Sequence, residues 1–194
     1  MLPEEFEDKE DIGELSGIAC KVLMQVMYLA RFGRPDLLRA VSALSTRVTS
    51  WTTLCDKKLL RIMQYMKFSK GFRQVGFIGD AKEDLELGLY TDADFASDRG
   101  TMKSTSGVFL AVVGPHTFFP LTAMPKKQTA ASHSTVEAEI VTANHGRRTA
   151  GLPALDLWET ILERYVKLNF FEDSQGTARI MEAGRAKHFV TSKG

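Results

Sequence analysis

A chain of 194 residues is long enough for one well-buried core, or for a medium domain with a smaller helical appendage, and two units is the organisation its length favours. Hydrophobic residues make up 44% and charged residues 25%, which excludes the disordered class. Lys plus Arg number 25 against 24 Asp plus Glu, for a formal charge of +1, so any nucleic-acid contact must be local rather than driven by a global field.

The first residues are acidic, with Glu4, Glu5, Glu7, Asp8, Glu10 and Asp11, and lack the basic and apolar regions of a secretory signal. Apolar clusters such as Ile18 to Cys20 and Val26 to Ala30 fall far short of the roughly 20 apolar positions that span a bilayer. An intracellular protein without a membrane span is expected. Cys20 and Cys55 lack CxxC spacing and are predicted to be reduced, buried thiols.

Between Ile12 and Phe32, Ile12, Leu15, Ala19, Val22, Val26 and Leu29 recur at three and four, which predicts one helical face. Gly33 offers a C-terminal cap. Pro35 suits a first helical turn, and Leu38, Val41, Leu44 and Val48 repeat the stripe. A third helix is predicted from about Thr52, with Cys55, Leu59, Ile62, Met63 and Met66 inward and Lys70 and Gly71 at its end. From Phe72 to Asp84, Gly76 and Gly79 break a short apolar run, which reads as a connection.

The period then changes. Leu85, Leu87 and Leu89 alternate, Gly107 to Val113 is a second β-rich run, and Gly114-Pro115 turns the chain before Thr117 to Phe119. These segments predict a three-stranded meander. Ser134-Thr135-Val136-Glu137 has the S-x-x-E form of a capping box and opens a helix predicted to reach Arg148. Gly151 and Pro153 punctuate, and Leu155, Trp158, Ile161 and Leu162 predict the next helix. Val166, Leu168 and Phe170 alternate as a strand ending near Asp173, after which Ser174 can cap a short helix through Glu182. The predicted order is βββααβα. One of each pair Phe118/Phe119 and Phe170/Phe171 should face the core.

Asp92 in the first strand, Glu139 early in the helix after Ser134, and Asp173 at the end of the later strand could converge beside the sheet. Phosphodiester hydrolysis at neutral pH is helped by two hard cations about 3.5 to 4 Å apart, and such cations need several oxygen ligands. Asp94 competes with Asp92, because residues two apart share a strand face. Glu137 competes with Glu139, but two apart on a helix is roughly 200° of rotation, so only one can face a site. If Ser134 is the cap, Glu137 is occupied and Glu139 is left free. Spacing by itself leaves solvated surface acids as the competing reading.

Tyr90-Thr91-Asp92-Ala93-Asp94-Phe95-Ala96, Lys103-Ser104-Thr105-Ser106-Gly107, Lys126-Lys127-Gln128, Ser134-Thr135-Val136-Glu137-Ala138-Glu139 and Glu172-Asp173-Ser174-Gln175 follow one another in order. They closely resemble the successive motifs of the RNase H domain in Copia-type retrotransposons. The resemblance implies an RNase H-like α/β fold, a mixed sheet flanked by helices, that cuts the RNA strand of an RNA/DNA hybrid with two Mg²⁺ (or Mn²⁺) ions. It places catalytic and metal-binding roles on Asp92, Glu139 and Asp173, with Asp94 as the alternative to Asp92. Upstream, Met27-Tyr28-Leu29-Ala30 and Arg34-Pro35-Asp36 look like the last helical region of the family's reverse transcriptase. The expected organisation is therefore a helical segment over 1–71 and an RNase H-like domain over 85–194, truncated at its C-terminal end. The remainder of the polyprotein is the expected neighbour. The polymerase's own aspartates would precede Met1, so polymerisation is not expected. One departure stands out: the family's fourth acid follows a Lys-His pair, whereas Lys187-His188 here continues as Phe189-Val190, with Val190 at the acid's place.

Lys103, Lys126 and Lys127, with Arg99, are candidates for the phosphate backbone of a hybrid, set against solvated loop charges. His116, His133, His145 and His188 lack zinc-ligand spacing. Two functional classes stay open: a metal-dependent ribonuclease H, and an inactive remnant that keeps the fold and at most binds nucleic acid or a neighbouring polyprotein domain. A strand-transfer enzyme on the same fold is excluded by order, since its last glutamate would follow the second aspartate.

Overall fold

The structure, a computed structural model, describes residues 11–98 and 100–183. They divide into two compact units between Gln74 and Val75.

The first unit is helical. α1 (Ser16–Phe32), α2 (Leu38–Ser45) and α3 (Thr53–Phe68) are joined by short 3₁₀ turns at Pro35–Leu37 and Val48–Ser50. Its core holds Ala19, Leu23, Val26 and Ala30 of α1, Leu38, Val41 and Leu44 of α2, and Cys55, Leu59 and Ile62 of α3. The buried stripe of α1 is thus rotated from the predicted one: Ile12 lies before the helix and is 80% exposed, and Leu29 is exposed where Ala30 faces in. Met63 is also exposed, because Ile62 takes the inward place on α3. Cys55 is buried as expected, whereas Cys20 is exposed. It follows Ala19 on α1 and so points away from the face that packs.

Arg34 fastens this unit. The residue is 8% exposed, and its guanidinium forks onto Asp36 at 3.0 and 2.7 Å and donates to the Ser69 carbonyl and hydroxyl at 3.1 and 2.7 Å. It also lies 5.7 and 5.8 Å from the Tyr65 and Phe72 rings. A buried charge is tolerated only when paired and hydrogen-bonded in this way. The same fork holds the Asp36 carboxyl below its ordinary range.

The second unit is mixed α/β. β1 (Glu86–Asp98), β2 (Lys103–Gly114) and β3 (Thr117–Lys127) form the antiparallel meander, and β4 (Leu168–Glu172) pairs parallel to β1, giving the order β3-β2-β1-β4. α4 (Thr135–Gly146) and α5 (Leu152–Leu162) precede β4, and α6 (Gln175–Ala183) follows it. This is an RNase H-like architecture. Alternation turns Leu85, just before β1, and Leu87 and Leu89 on it inward, where they meet Val108, Leu110, Val112, Ala150, Leu162 and Val166. The meander is longer than predicted, because the alternation continues through polar residues: Thr91, Ser104 and Ser106 are buried like their apolar neighbours.

On β1 the alternate residue Tyr90 stacks on Phe171 at 4.5 Å, and Phe109 lies 6.0 Å from Tyr90 and 6.1 Å from Phe118. This aromatic row crosses all four strands. Phe170 packs against the core as expected of its pair, but Phe118 and Phe119 are both exposed. The backbone of Phe118 bonds with Phe77, and Phe119 approaches Gly76 so closely that a Cβ there would collide with its ring.

Gly151 and Pro153 do not end the helix. A π turn at Arg147–Gly151 carries α4 straight into α5, with Pro153 in the first turn of α5, where its missing N–H costs nothing. Both glycines press on the sheet. A Cβ on Gly146 would sit 2.9 Å from Thr91 and 3.2 Å from Val108; one on Gly151 would sit 3.0 Å from Leu168 and 3.2 Å from Leu89. Five residues of regular α-helix would rotate the second glycine roughly 140° away from the first. The wider i→i+5 turn reduces that angle and lets both lie against the strands.

Candidate metal centre

Asp92 stands on β1 opposite Gly107 of β2. The parallel register pairs Thr91 with Glu172, so Asp92, midway along β1, and Asp173, just past the end of β4, come side by side. Glu139 comes from the first turns of α4. There the Ser134 hydroxyl accepts from the Glu137 N–H at 3.1 Å, and the Glu137 carboxylate accepts from the His133 N–H at 2.6 Å. The returning bond thus reaches one residue before the cap rather than the cap itself, but it occupies Glu137 all the same.

A buried polar clamp seats this helix on β2. The Gln128 side-chain amide donates to the Ala138 carbonyl at 3.0 Å, to the Ser106 hydroxyl at 3.1 Å and to the Thr142 hydroxyl at 3.2 Å. Its carbonyl accepts from Ser132 at 3.0 Å, and its backbone N–H donates to Ser104 at 2.8 Å. Ser106 and Thr142 also bond each other at 2.7 Å. Ala138 directly precedes Glu139, so Gln128 positions the carboxylate. Gln128→Ala should cost about 2 kcal/mol, the penalty for lost bonds and a partly unsatisfied site. Thermal melting measures that loss, and a Mn²⁺ titration should show weaker binding than in the parent chain; unchanged cation affinity would rule out the positioning role.

One carboxylate oxygen from each of Asp92, Glu139 and Asp173 lies within 4.8 Å of the other two. Asp92 and Asp173 are exposed, whereas Glu139 is 4% exposed and its Oε2 is buried without a hydrogen-bond partner. Burial raises the Glu139 carboxyl to about 7, and Glu172, Asp92 and Asp173 add repulsion, against a hydrogen bond from the Ala93 backbone. Three converging oxygens, one of them buried and unpartnered, suit a hard divalent cation, which would relieve the repulsion and give that oxygen a partner. Asp94, two residues along β1, is not part of this grouping.

Glu172 carries a role that its place in the sequence did not reveal. It exerts the strongest repulsion on Glu139, accepts from the Thr91 hydroxyl at 3.0 Å, and accepts from the Ser174 N–H at 3.4 Å. Burial raises its own pKa. Adjacency to Asp173 was the available signal, but only the β1–β4 register says that Glu172 sits beside Thr91.

Lys126 and Lys127 are exposed at the end of β3, paired with Ser106 and Thr105, and Lys103 is half-buried at the start of β2. His145 is half-buried on α4, held below its ordinary pKa by burial and by Lys126. Arg99 and the stretch from Lys187 through Val190 to Gly194 lie outside the described residues. Among the described residues no helix is long and apolar enough to cross a membrane.

No family model and no solved structure matches the chain. Two curated proteins do, the retrovirus-related Pol polyproteins from transposons RE1 and RE2 of Arabidopsis thaliana. Each is 33% identical over 118 residues, which is 61% of this chain and 8% of the relative. The chain thus spans less than a tenth of their length.

Proposed function

The chain is a relative of the retrovirus-related Pol polyproteins of transposons, and on that footing we propose that its second unit hydrolyses the RNA strand of RNA/DNA hybrids. The observation that carries this reading is the convergence of Asp92, Glu139 and Asp173 around the unpartnered Glu139 oxygen. These side chains would hold Mg²⁺ or Mn²⁺. Two such ions, when bound, supply an activated water and charge neutralisation at the phosphodiester. Asp92 from the middle of β1 and Asp173 just past the end of β4 orient the site, and Glu139 closes it from α4, where its burial excludes water from one side. Lys103, Lys126 and Lys127 contact the sugar-phosphate backbone, which identifies a hybrid by its shape rather than its sequence. The helical unit corresponds to the last part of a Copia-type reverse transcriptase, and other polyprotein domains are its natural neighbours.

The test is cleavage of a labelled RNA/DNA hybrid with Mg²⁺ or Mn²⁺ by the parent chain and by Asp92→Asn. The expected result is cutting by the parent that falls in the variant on the order of 10²–10³-fold, the usual cost of losing one charge-stabilising group. Val190, at the place of the family's fourth acid, favours a second reading, a nucleic-acid-binding remnant. Hybrid binding by both folded proteins with cutting by neither would select it.

A further inference from the structure

Away from the carboxylates, a cleft of about 450 Å³ opens between the end of β3 and the far side of α4. Its polar walls include Lys126, Lys127, Asn144, His145, Arg148 and Thr149, and no carboxylate lines it. Lys126 and Arg148 are exposed, and neither has an acidic partner among the described residues. Unlike most surface cations, they converge on one concavity. Resting on the nucleic-acid reading above, we propose that this cleft is an anion subsite that takes one backbone phosphate of the bound hybrid.

Two independent features shape it. The first is the π turn. Arg148 and Thr149 belong to it, and the contacts of Gly146 and Gly151 with the strands fix its position, so Arg148 projects from a rigid element rather than a loop. Such turns occur mostly as single bulges inside helices and often at functional sites. The second is register. Ala93 pairs with Ser106, which pairs with Lys126, and two strand spacings put the Lys126 backbone about 10 Å from Ala93. Ala93 adjoins Asp92. A nucleic acid with a phosphate at the carboxylates therefore has further phosphates within reach of the cleft. Asn144 and Thr149 add uncharged donors, and the Lys126 field that acts on His145 acts equally on an anion.

The test is fluorescence anisotropy of a labelled RNA/DNA hybrid over a range of salt in the absence of divalent cations. The full chain is compared with K126E/R148E, K126Q/R148Q, K126R/R148K and, as a control at an exposed site outside the cleft, K167E. Charge reversal should raise Kd about tenfold or more and lower the slope of log K against log salt by about 1 to 2. The neutral pair should show a smaller loss, while K126R/R148K and K167E should stay near the parent. Equal Kd and slope in K126E/R148E and the parent overturns the subsite. If that happens while the parent still cuts and Asp92→Asn does not, the nuclease reading stands without it. A parent that binds but does not cut, with binding lost in K126E/R148E, leaves the subsite standing and the nuclease reading fallen. No binding by the parent at low salt overturns both.

Discussion

Replacing Glu139 with Gln should raise the melting temperature at pH 8 in a buffer free of divalent cations, and the same change should abolish hybrid cleavage. The two effects share a cause. The Glu139 carboxyl titrates near 7 in the folded chain against an ordinary 4.5, chiefly because it is buried. Between those values the native state holds a proton that the unfolded state has released, so stability falls as pH rises. Below about 4.5 the group is neutral in both states and adds no penalty; above about 7 the full penalty is present. It is on the order of 2 kcal/mol, less than a direct conversion of the shift, because Asp92 and Asp173 open the cluster to solvent. Gln carries no charge, so the variant should melt roughly 5–10 °C higher at pH 8 and about level with the parent near pH 4.5. Adding Mn²⁺ should reverse the order, because only the parent gains stability from binding it. Parallel pH profiles for parent and variant would refute the assignment of the shift to Glu139.

Leu89→Ala should produce the largest loss of stability. Leu89 is 0% exposed at the centre of the sheet, packed with Val108, Leu110 and Ala150, and its methyl group is one of the two that would meet a Cβ on Gly151. Truncation leaves a cavity that neighbours in strands and a pinned helix cannot collapse into, at a cost of about 3–4 kcal/mol. Denaturant unfolding of the second unit should show it as a lower midpoint with unchanged slope. A loss below about 1 kcal/mol would mean that the helix is free to follow the strands inward, contrary to the role given to Gly151. Asp92 lies on the same strand, so cation affinity should fall with stability.

Much of this architecture was legible because local chemistry and tertiary need agree. The alternation of Leu85, Leu87 and Leu89, the S-x-x-E cap at Ser134 and the turn at Gly114-Pro115 each have a short-range cause, and each lies where the chain predicts. The grouping of Asp92, Glu139 and Asp173 could be anticipated from motif order. What escaped was set by contacts distant in sequence. Gly151 looks like a helix stop, yet Leu89 and Leu168 turn it into a contact point. Gln128 follows two lysines in a polar stretch and gives no sign that it is buried between β2 and α4. Phe118 and Phe119 obey alternation in principle, but an edge strand with Phe77 bonded to its backbone leaves both partly in solvent.

The parallel pairing of β1 with β4 also sets a timetable. Leu87 and Leu168 are roughly 80 positions apart, whereas the meander joins near neighbours, and distant pairings form late because the intervening loop must first be closed. At about 5–20 residues per second on a ribosome, Asp173 is made roughly 4–16 s after Asp92. Throughout that interval the nascent chain can hold a folded meander, but Asp173 is missing from the group of acids. The same ordering applies in reverse to the finished molecule. Release of the five-residue β4 takes Asp173 out of the group while Asp92 on β1 and Glu139 on α4 stay beside β2, so the centre can lose its third acid without the meander opening.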